Sequence, residues 1–271
     1  MQTPIVSISL SSFGADVVRR LGQASYLPLL AAAGARRVEW REELFDAAPD
    51  AATLANLANL ANLANLANLA NLAAEHGLQS LYSTPLELWR EDGSLEPAIA
   101  QRLQRASEIG AVALKVSLGH YQTGCDLQAL APLLGHKTAL YVENDQTPYG
   151  GRLQTLERFF REAQAQGVAP GMTFDIGNWY WHDESPLLAA QLLGRWVRYI
   201  HCKAVARRAD GRLVAVVPQA LDLVQWRELM THFAPDLPRA IEYPLAGDDL
   251  LALTARQVAQ LAQLEGQVCH G

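Results

Sequence analysis

The chain has 271 residues, half of them apolar and 18% charged, with a formal net charge of −6. That length buries a full core, either as one large α/β domain or as two small ones. The acidic balance excludes a sequence-independent grip on DNA or RNA, which needs basic patches. No apolar run approaches the length of a membrane span, and the segment Met1–Pro4 carries neither a basic flank nor a signal-like core. A cytoplasmic protein with no membrane partner is therefore expected. Cys125, Cys202 and Cys269 are odd in number and far apart with no CxxC, so neither a disulfide framework nor a thiolate zinc site is expected.

Pro4–Leu10 alternates and is rich in β-branched residues, which predicts a strand. A helix opens at Gln23 or Ser25 and ends at Gly34. Arg37–Trp40 is a second strand and runs into the charged loop Arg41-Glu42-Glu43. Gln79–Ser83 is a third, halted by Thr84-Pro85. A helix over 97–109 places Ile99, Leu103, Ala106 and Ile109 on one face. Ala111–Leu118 is the fourth strand and Thr138–Glu143 the fifth, followed by a helix over Leu153–Gln166. Met172–Asp175, Val197–His201 and Arg239–Glu242 complete the strands, each followed by a helical pattern: Pro186–Leu193, Leu221–Phe233 and about Asp248–Leu264.

Eight strands alternating with helices imply parallel pairing and favour one closed (β/α)8 TIM barrel spanning 1–271. The alternative is an open doubly wound sheet. No GxGxxG follows the first strand and no GxxxxGK[ST] occurs, so the nucleotide-binding versions of that fold lose support.

Residues Leu54–Asn71 are six tandem copies of Leu-Ala-Asn, completed by Leu72-Ala73. Each three-residue step turns a helix by about 300°, so the leucines drift around it and no single apolar face forms. The tract over 54–73 is expected to lengthen the second barrel helix, from about Pro49 to Glu75, to about 39 Å. Two readings stay open for it: a tolerated expansion without function, or a leucine-bearing surface for homo-oligomerisation.

Strands five to eight end in Glu143, Asp175, His201 and Glu242. Side chains at the C-terminal strand ends of a barrel converge on one mouth, where active sites sit. Each residue alone has an ordinary explanation as a cap or a surface pair. Together, three carboxylates and an imidazole suit one divalent cation, Mn²⁺, Co²⁺, Zn²⁺ or Mg²⁺. Lys115, Lys203, Arg41 and Glu42 are further candidates for the mouth, as is His120 after strand four. Lys203 follows His201 by two residues and so shares its face, where it can hold a substrate phosphate or carboxylate with help from Arg207 or Arg208. Trp89, Trp179, Tyr180 and Trp181 can offer an apolar wall to a sugar.

The segments Val142–Asp145, Thr173–Asn178, Ile200–Lys203 and Ile241–Pro244 resemble the xylose-isomerase-like barrel superfamily of sugar isomerases and epimerases. That superfamily includes ketose 3-epimerases, inosose isomerases and dehydratases, and endonuclease IV. The resemblance implies that Glu143, Asp175, His201 and Glu242 bind the metal, and that Glu143 and Glu242 serve as acid and base on opposite faces of a sugar or sugar acid. The reaction implied is proton abstraction next to a carbonyl through a metal-stabilised enediolate. The alternative is a keto-polyol (inosose-type) dehydratase on the same site; a sugar-binding barrel without turnover ranks lower. Ketose epimerases usually carry His where Asn178 stands, and an amide binds a hydroxyl but shuttles no proton. The extra histidines of endonuclease IV are missing, which argues against nucleic acid as a partner.

Overall fold

The computed structural model describes residues 3–45 and 68–264. Its strands are β1 (Val6–Ser9), β2 (Arg37–Arg41), β3 (Gln79–Trp89), β4 (Ala111–Gly119), β5 (Ala139–Glu143), β6 (Gly171–Asp175), β7 (Val197–Cys202), β8 (Ala204–Arg207), β9 (Leu213–Val216) and β10 (Arg239–Ile241). The helices are α1 (Ala15–Leu21), α2 (Leu27–Ala32), α3 (68–75), α4 (Ala98–Glu108), α5 (Leu153–Ala165), α6 (Pro186–Leu193), α7 (Ala220–Met230) and α8 (Leu250–Ala262). Strands β1 to β7 and β10 form a closed barrel in the order β1-β10-β7-β6-β5-β4-β3-β2, with every pairing parallel. The fold is the (β/α)8 barrel that the alternation predicts.

Both faces of these strands are buried, which is why they read as near-continuous apolar runs. Outward side chains such as Val38, Trp40, Val116, Val142 and Phe174 join a large core beneath the helices. That core also takes the apolar stripes of α4 (Ile99, Leu103, Ala106) and α5 (Leu156, Phe159, Phe160, Ala163), which recur at helical spacing. Inside the barrel, Leu81, Ala113, Tyr199 and Ala240 form a separate small cluster. They come from strands on opposite sides of the ring, so they meet across the lumen.

Helix starts are capped where the sequence supplies an oxygen. Ser185 accepts from the Leu188 amide ahead of Pro186, and Asp249 accepts from the Ala252 amide.

Three features differ from the sequence expectation. Strand β3 does not stop at Ser83. A register shift between Ser83 and Glu87 absorbs Pro85, which has no amide to donate, and pairing with β4 resumes at Glu87 and continues to Trp89. Helix α1 buries only Val18, too little to leave a periodic signal. Strands β8 and β9 form an antiparallel hairpin after β7, and none of their exposed or half-buried residues shows a clean alternation. The Leu-Ala-Asn tract lies outside the described residues up to residue 67, and residues 68–75 are helical. Among the described residues no helix is long and apolar enough to cross a membrane.

Candidate metal centre and active site

Parallel register sets the rim. Glu143 lies beside Thr173 on β6, Asp175 lies beside His201 on β7, and His201 lies beside Ala240 on β10, with Glu242 two residues further along. The two-residue period then turns Glu143, Asp175, His201 and Glu242 to the lumen side of the rim. One ligand atom from each can be chosen so that all lie within 4.8 Å of one another. His201 and Asp175 are fully buried, and Glu143 nearly so.

Local bonds aim each group. The Asn144 amide spans β5 and β6, accepting from the Asp175 amide and donating to its carbonyl, both at 2.9 Å. Asp175 Oδ1 accepts from the amides of Gly177 (2.8 Å) and Asn178 (3.1 Å), which leaves Oδ2 for the centre. His201 Nδ1 is 2.9 Å from both Glu143 Oε1 and Glu242 Oε2. Only the contact with Glu242 has hydrogen-bond geometry, so Glu143 Oε1 is a buried oxygen with no donor. An orphaned buried carboxylate oxygen beside two more carboxylates and an imidazole is a donor set that fits a hard or borderline divalent cation.

The cluster holds more charge than the four strand-end residues. Glu39, on β2, is fully buried and lies 2.8 Å from His201 Nε2. Lys115 pairs with Glu143 and approaches Glu39 at 3.9 Å. Lys203 Nζ is 2.6 Å from Asp175 Oδ2 and 2.8 Å from Glu242 Oε2. Arg41 Nη1 is 3.0 Å from Glu242 Oε1 and 3.2 Å from Glu39 Oε1. Four carboxylates thus face two ammoniums and a guanidinium around one imidazole.

These neighbours set the protonation states. Burial alone would raise Glu143, but Lys115 and then His201 hold it down at about 2. Burial would likewise raise Glu242, yet His201 and Lys203 keep it well below the usual carboxylate range. Asp175 goes the other way: burial raises it, Lys203 opposes this, and Glu242 and Glu143 add to the rise, leaving it at about 7. Burial would lower Lys203, but Asp175 and Glu242 outweigh it and keep the ammonium charged.

The remaining candidates are dispersed. Asn178 is buried, with Nδ2 donating to the Asn144 carbonyl (2.8 Å) and Oδ1 accepting from Gln146 (3.0 Å) and Lys203 (3.2 Å). His120 stacks on Tyr149 with ring centroids 3.6 Å apart and sits 3.7 Å from Glu87, in no contact with the four strand-end residues. Arg207 is exposed on the hairpin, donating to the Gly211 carbonyl at 2.9 Å. With Tyr180, Trp181 and Arg212 it lines a surface cleft of about 460 Å³. Glu42 turns to Arg102 and Thr84, away from the cluster. Trp89 and Trp179 are fully buried in the core, so only Tyr180 and Trp181 of the four aromatics face the outside.

Glu39 is the residue that sequence reasoning missed. Its signal was an ionisable residue between Val38 and Trp40 in a strand with no exposed position, in phase with Arg37 and Arg41.

No protein-family model matches this sequence, and a comparison with curated proteins finds no relative. Solved structures with the same fold do match. D-psicose 3-epimerase from Clostridium cellulolyticum H10, with D-tagatose, superposes at TM-score 0.64 and 12% identity, covering 96% of this chain and 99% of that one. A xylose isomerase domain-containing protein from Salmonella typhimurium LT2 gives 0.65 and 16%, covering 96% of each. A probable 3-DHS dehydratase from Bacillus anthracis, involved in petrobactin synthesis, gives 0.61 and 12%, covering 95% and 98%. The chain therefore has the xylose-isomerase-like TIM barrel fold, and its structural neighbours include epimerases and a probable dehydratase.

Proposed function

We propose that this chain is a divalent-metal-dependent isomerase or epimerase of a small sugar or sugar acid. The observation that carries the reading is the placement of Glu143 and Glu242, each with an oxygen 2.9 Å from the same imidazole nitrogen. Two carboxylates flanking one point give a proton acceptor on one side of a substrate and a donor on the other. Glu143, Asp175, His201 and Glu242 would hold the cation, Mn²⁺, Co²⁺, Zn²⁺ or Mg²⁺, and it would supply the Lewis acidity that acidifies a C–H next to a carbonyl.

The chain's own groups do the rest. One of the two glutamates takes the proton from carbon, and the other returns it to the opposite face. Their surroundings differ: Glu143 pairs with Lys115, while Glu242 touches Arg41, Lys203 and His201. Both are held ionised before substrate binds, so the one that takes the proton is ready as a base. The other must first be protonated, as Glu242 can be from the Lys203 ammonium at 2.8 Å, before it returns a proton. Lys203 and Lys115 would hold a substrate oxygen or carboxylate. Asn178 orients Lys203 through Oδ1, and His120 and Arg207 stand further out, as contacts for the distal part of a substrate.

A dehydratase shares the first proton abstraction and then expels a β-hydroxyl instead of accepting the proton back. The fold's occurrence in a probable dehydratase keeps that as the second reading. The test is a substrate screen over ketohexoses, inososes and keto-aldonates in D₂O with Mn²⁺, Co²⁺ or Mg²⁺. Deuterium in recovered substrate and its epimer without loss of water supports the proposal. Stoichiometric loss of hydroxyl supports the dehydratase, and no exchange with any substrate and metal counts against both.

A further inference from the structure

Glu39 has no part in the tetrad, yet it is as fully buried as Asp175, the most enclosed of the tetrad's carboxylates. It stands on β2, while His201 stands on β7, and the two strands are not neighbours in the barrel. Their contact therefore crosses the lumen. Glu39 Oε2 is 2.8 Å from His201 Nε2 and accepts from the Tyr199 hydroxyl at 2.9 Å. Its other oxygen, Oε1, is 3.2 Å from Arg41 Nη1 and 3.9 Å from Lys115 Nζ. Arg41 continues to Glu242, and Lys115 continues to Glu143. One carboxylate thus touches the imidazole and the cations that flank both proposed proton carriers.

A carboxylate can only accept, so His201 Nε2 must carry the proton of that bond. The bond from Nδ1 to Glu242 Oε2 likewise needs a proton on Nδ1, which a cation at the tetrad would displace while the Nε2–H stays on Glu39. The ring is thereby fixed about its axis, with Nδ1 turned to Glu143, Asp175 and Glu242 at 2.9, 3.9 and 2.9 Å. We propose that Glu39 is the positioning residue of this centre: through the Nε2–H bond it holds His201 with Nδ1 presented as a cation ligand. Tyr199 fixes Glu39 in turn, from two residues before His201 on the same strand. The inference rests on reading the tetrad as a cation site. Carboxylates behind metal-bound histidines act in this way, and removing one weakens metal binding roughly 10–100-fold.

The test uses the full chain and Mn²⁺ as the probe. Glu39→Gln keeps the volume and removes the charge, and calorimetric titration should show Mn²⁺ binding weakened roughly 10–100-fold. Binding within twofold of wild type overturns the proposal. If Glu39→Gln does not fold, Tyr199→Phe removes only the hydroxyl that anchors Glu39; Mn²⁺ binding weakened several-fold supports the role, and unchanged binding overturns it. A second readout needs no metal. The Nε2–H of His201 should appear in ¹⁵N-histidine spectra as a slowly exchanging proton, and Glu39→Gln should alter its shift and speed its exchange. A merely structural loosening would lower the melting temperature and leave that proton where it was. If wild type binds no Mn²⁺, the cation reading fails. The positioning claim then stands or falls on this proton: its absence in wild type, or its indifference to Glu39→Gln, overturns it.

Discussion

Lys203 Nζ lies 2.6 Å from Asp175 Oδ2, an ion pair with one partner fully buried and the other nearly so. Burying two charges gains little over an apolar pair of the same shape, whereas removing one partner strands the other. Lys203→Met should therefore cost about 3–5 kcal/mol in denaturant unfolding. The double variant Lys203→Met/Asp175→Asn should recover part of that loss. Additive losses in the two single variants and the double would show that the pair is not coupled.

A cation held by the tetrad must stabilise the folded chain. Saturating Mn²⁺ at about 100 times its dissociation constant should add about 2.7 kcal/mol. Chelator should reverse the gain. Glu143→Gln and His201→Ala should each lose bound metal on elemental analysis. Wild type that retains no metal and cannot be reloaded would end the metal reading.

Asp175 sits at about 7 in the folded chain, raised by burial against the pull of Lys203. A carboxylate must shed its proton to bind a cation, so binding should weaken as pH falls below about 7, by at most tenfold per unit for one proton. The linkage to stability has the opposite sign. A carboxyl raised in the folded state favours folding below its unfolded value, and that contribution is lost as pH rises through 7. Mn²⁺ titrations at pH 6, 7 and 8 check the first statement; affinity independent of pH over that range would contradict it.

The Asn144 side chain makes two backbone bonds to Asp175, both at 2.9 Å and both buried. Asn144→Ala leaves an amide and a carbonyl without partners, at a cost of about 1–3 kcal/mol each. Stability in urea and Mn²⁺ affinity should fall together, because the same bonds aim the Asp175 carboxylate. A variant that loses stability with unchanged affinity would show that Asn144 only braces the strands.

Gly119 closes the β3–β4 pairing at φ +70°, and a Cβ there would run into the Trp89 carbonyl oxygen. The obstacle is backbone, which cannot swing aside. Gly119→Ala should destabilise the chain by more than the ~1 kcal/mol that a Gly-to-Ala change gains where the backbone is compatible. It should also disturb the His120–Tyr149 stack, which a change in tyrosine fluorescence would report. A melting temperature equal to that of wild type would refute the clash.

The sequence by itself determined the eight strands, their parallel order and the rim quartet, because each strand is a largely apolar run and the last four stop on an ionisable side chain. Strand parity then brought Lys203 to the same face as His201. It did not determine the β8–β9 hairpin, whose half-exposed residues carry no period, or the length of β3, which a bulge carries past a proline. Nor did it assign the interior charges. Arg41, Lys115 and Lys203 read as candidates for the mouth, while Glu39 read as one residue of an ordinary strand. Only closure of the barrel brings β2 and β4 to face β7 and β10 across a lumen about one side chain wide. There an acid from β2 meets the imidazole from β7. Contacts of that kind depend on which strands stand opposite each other in the ring, and no local pattern of apolar and polar residues records that.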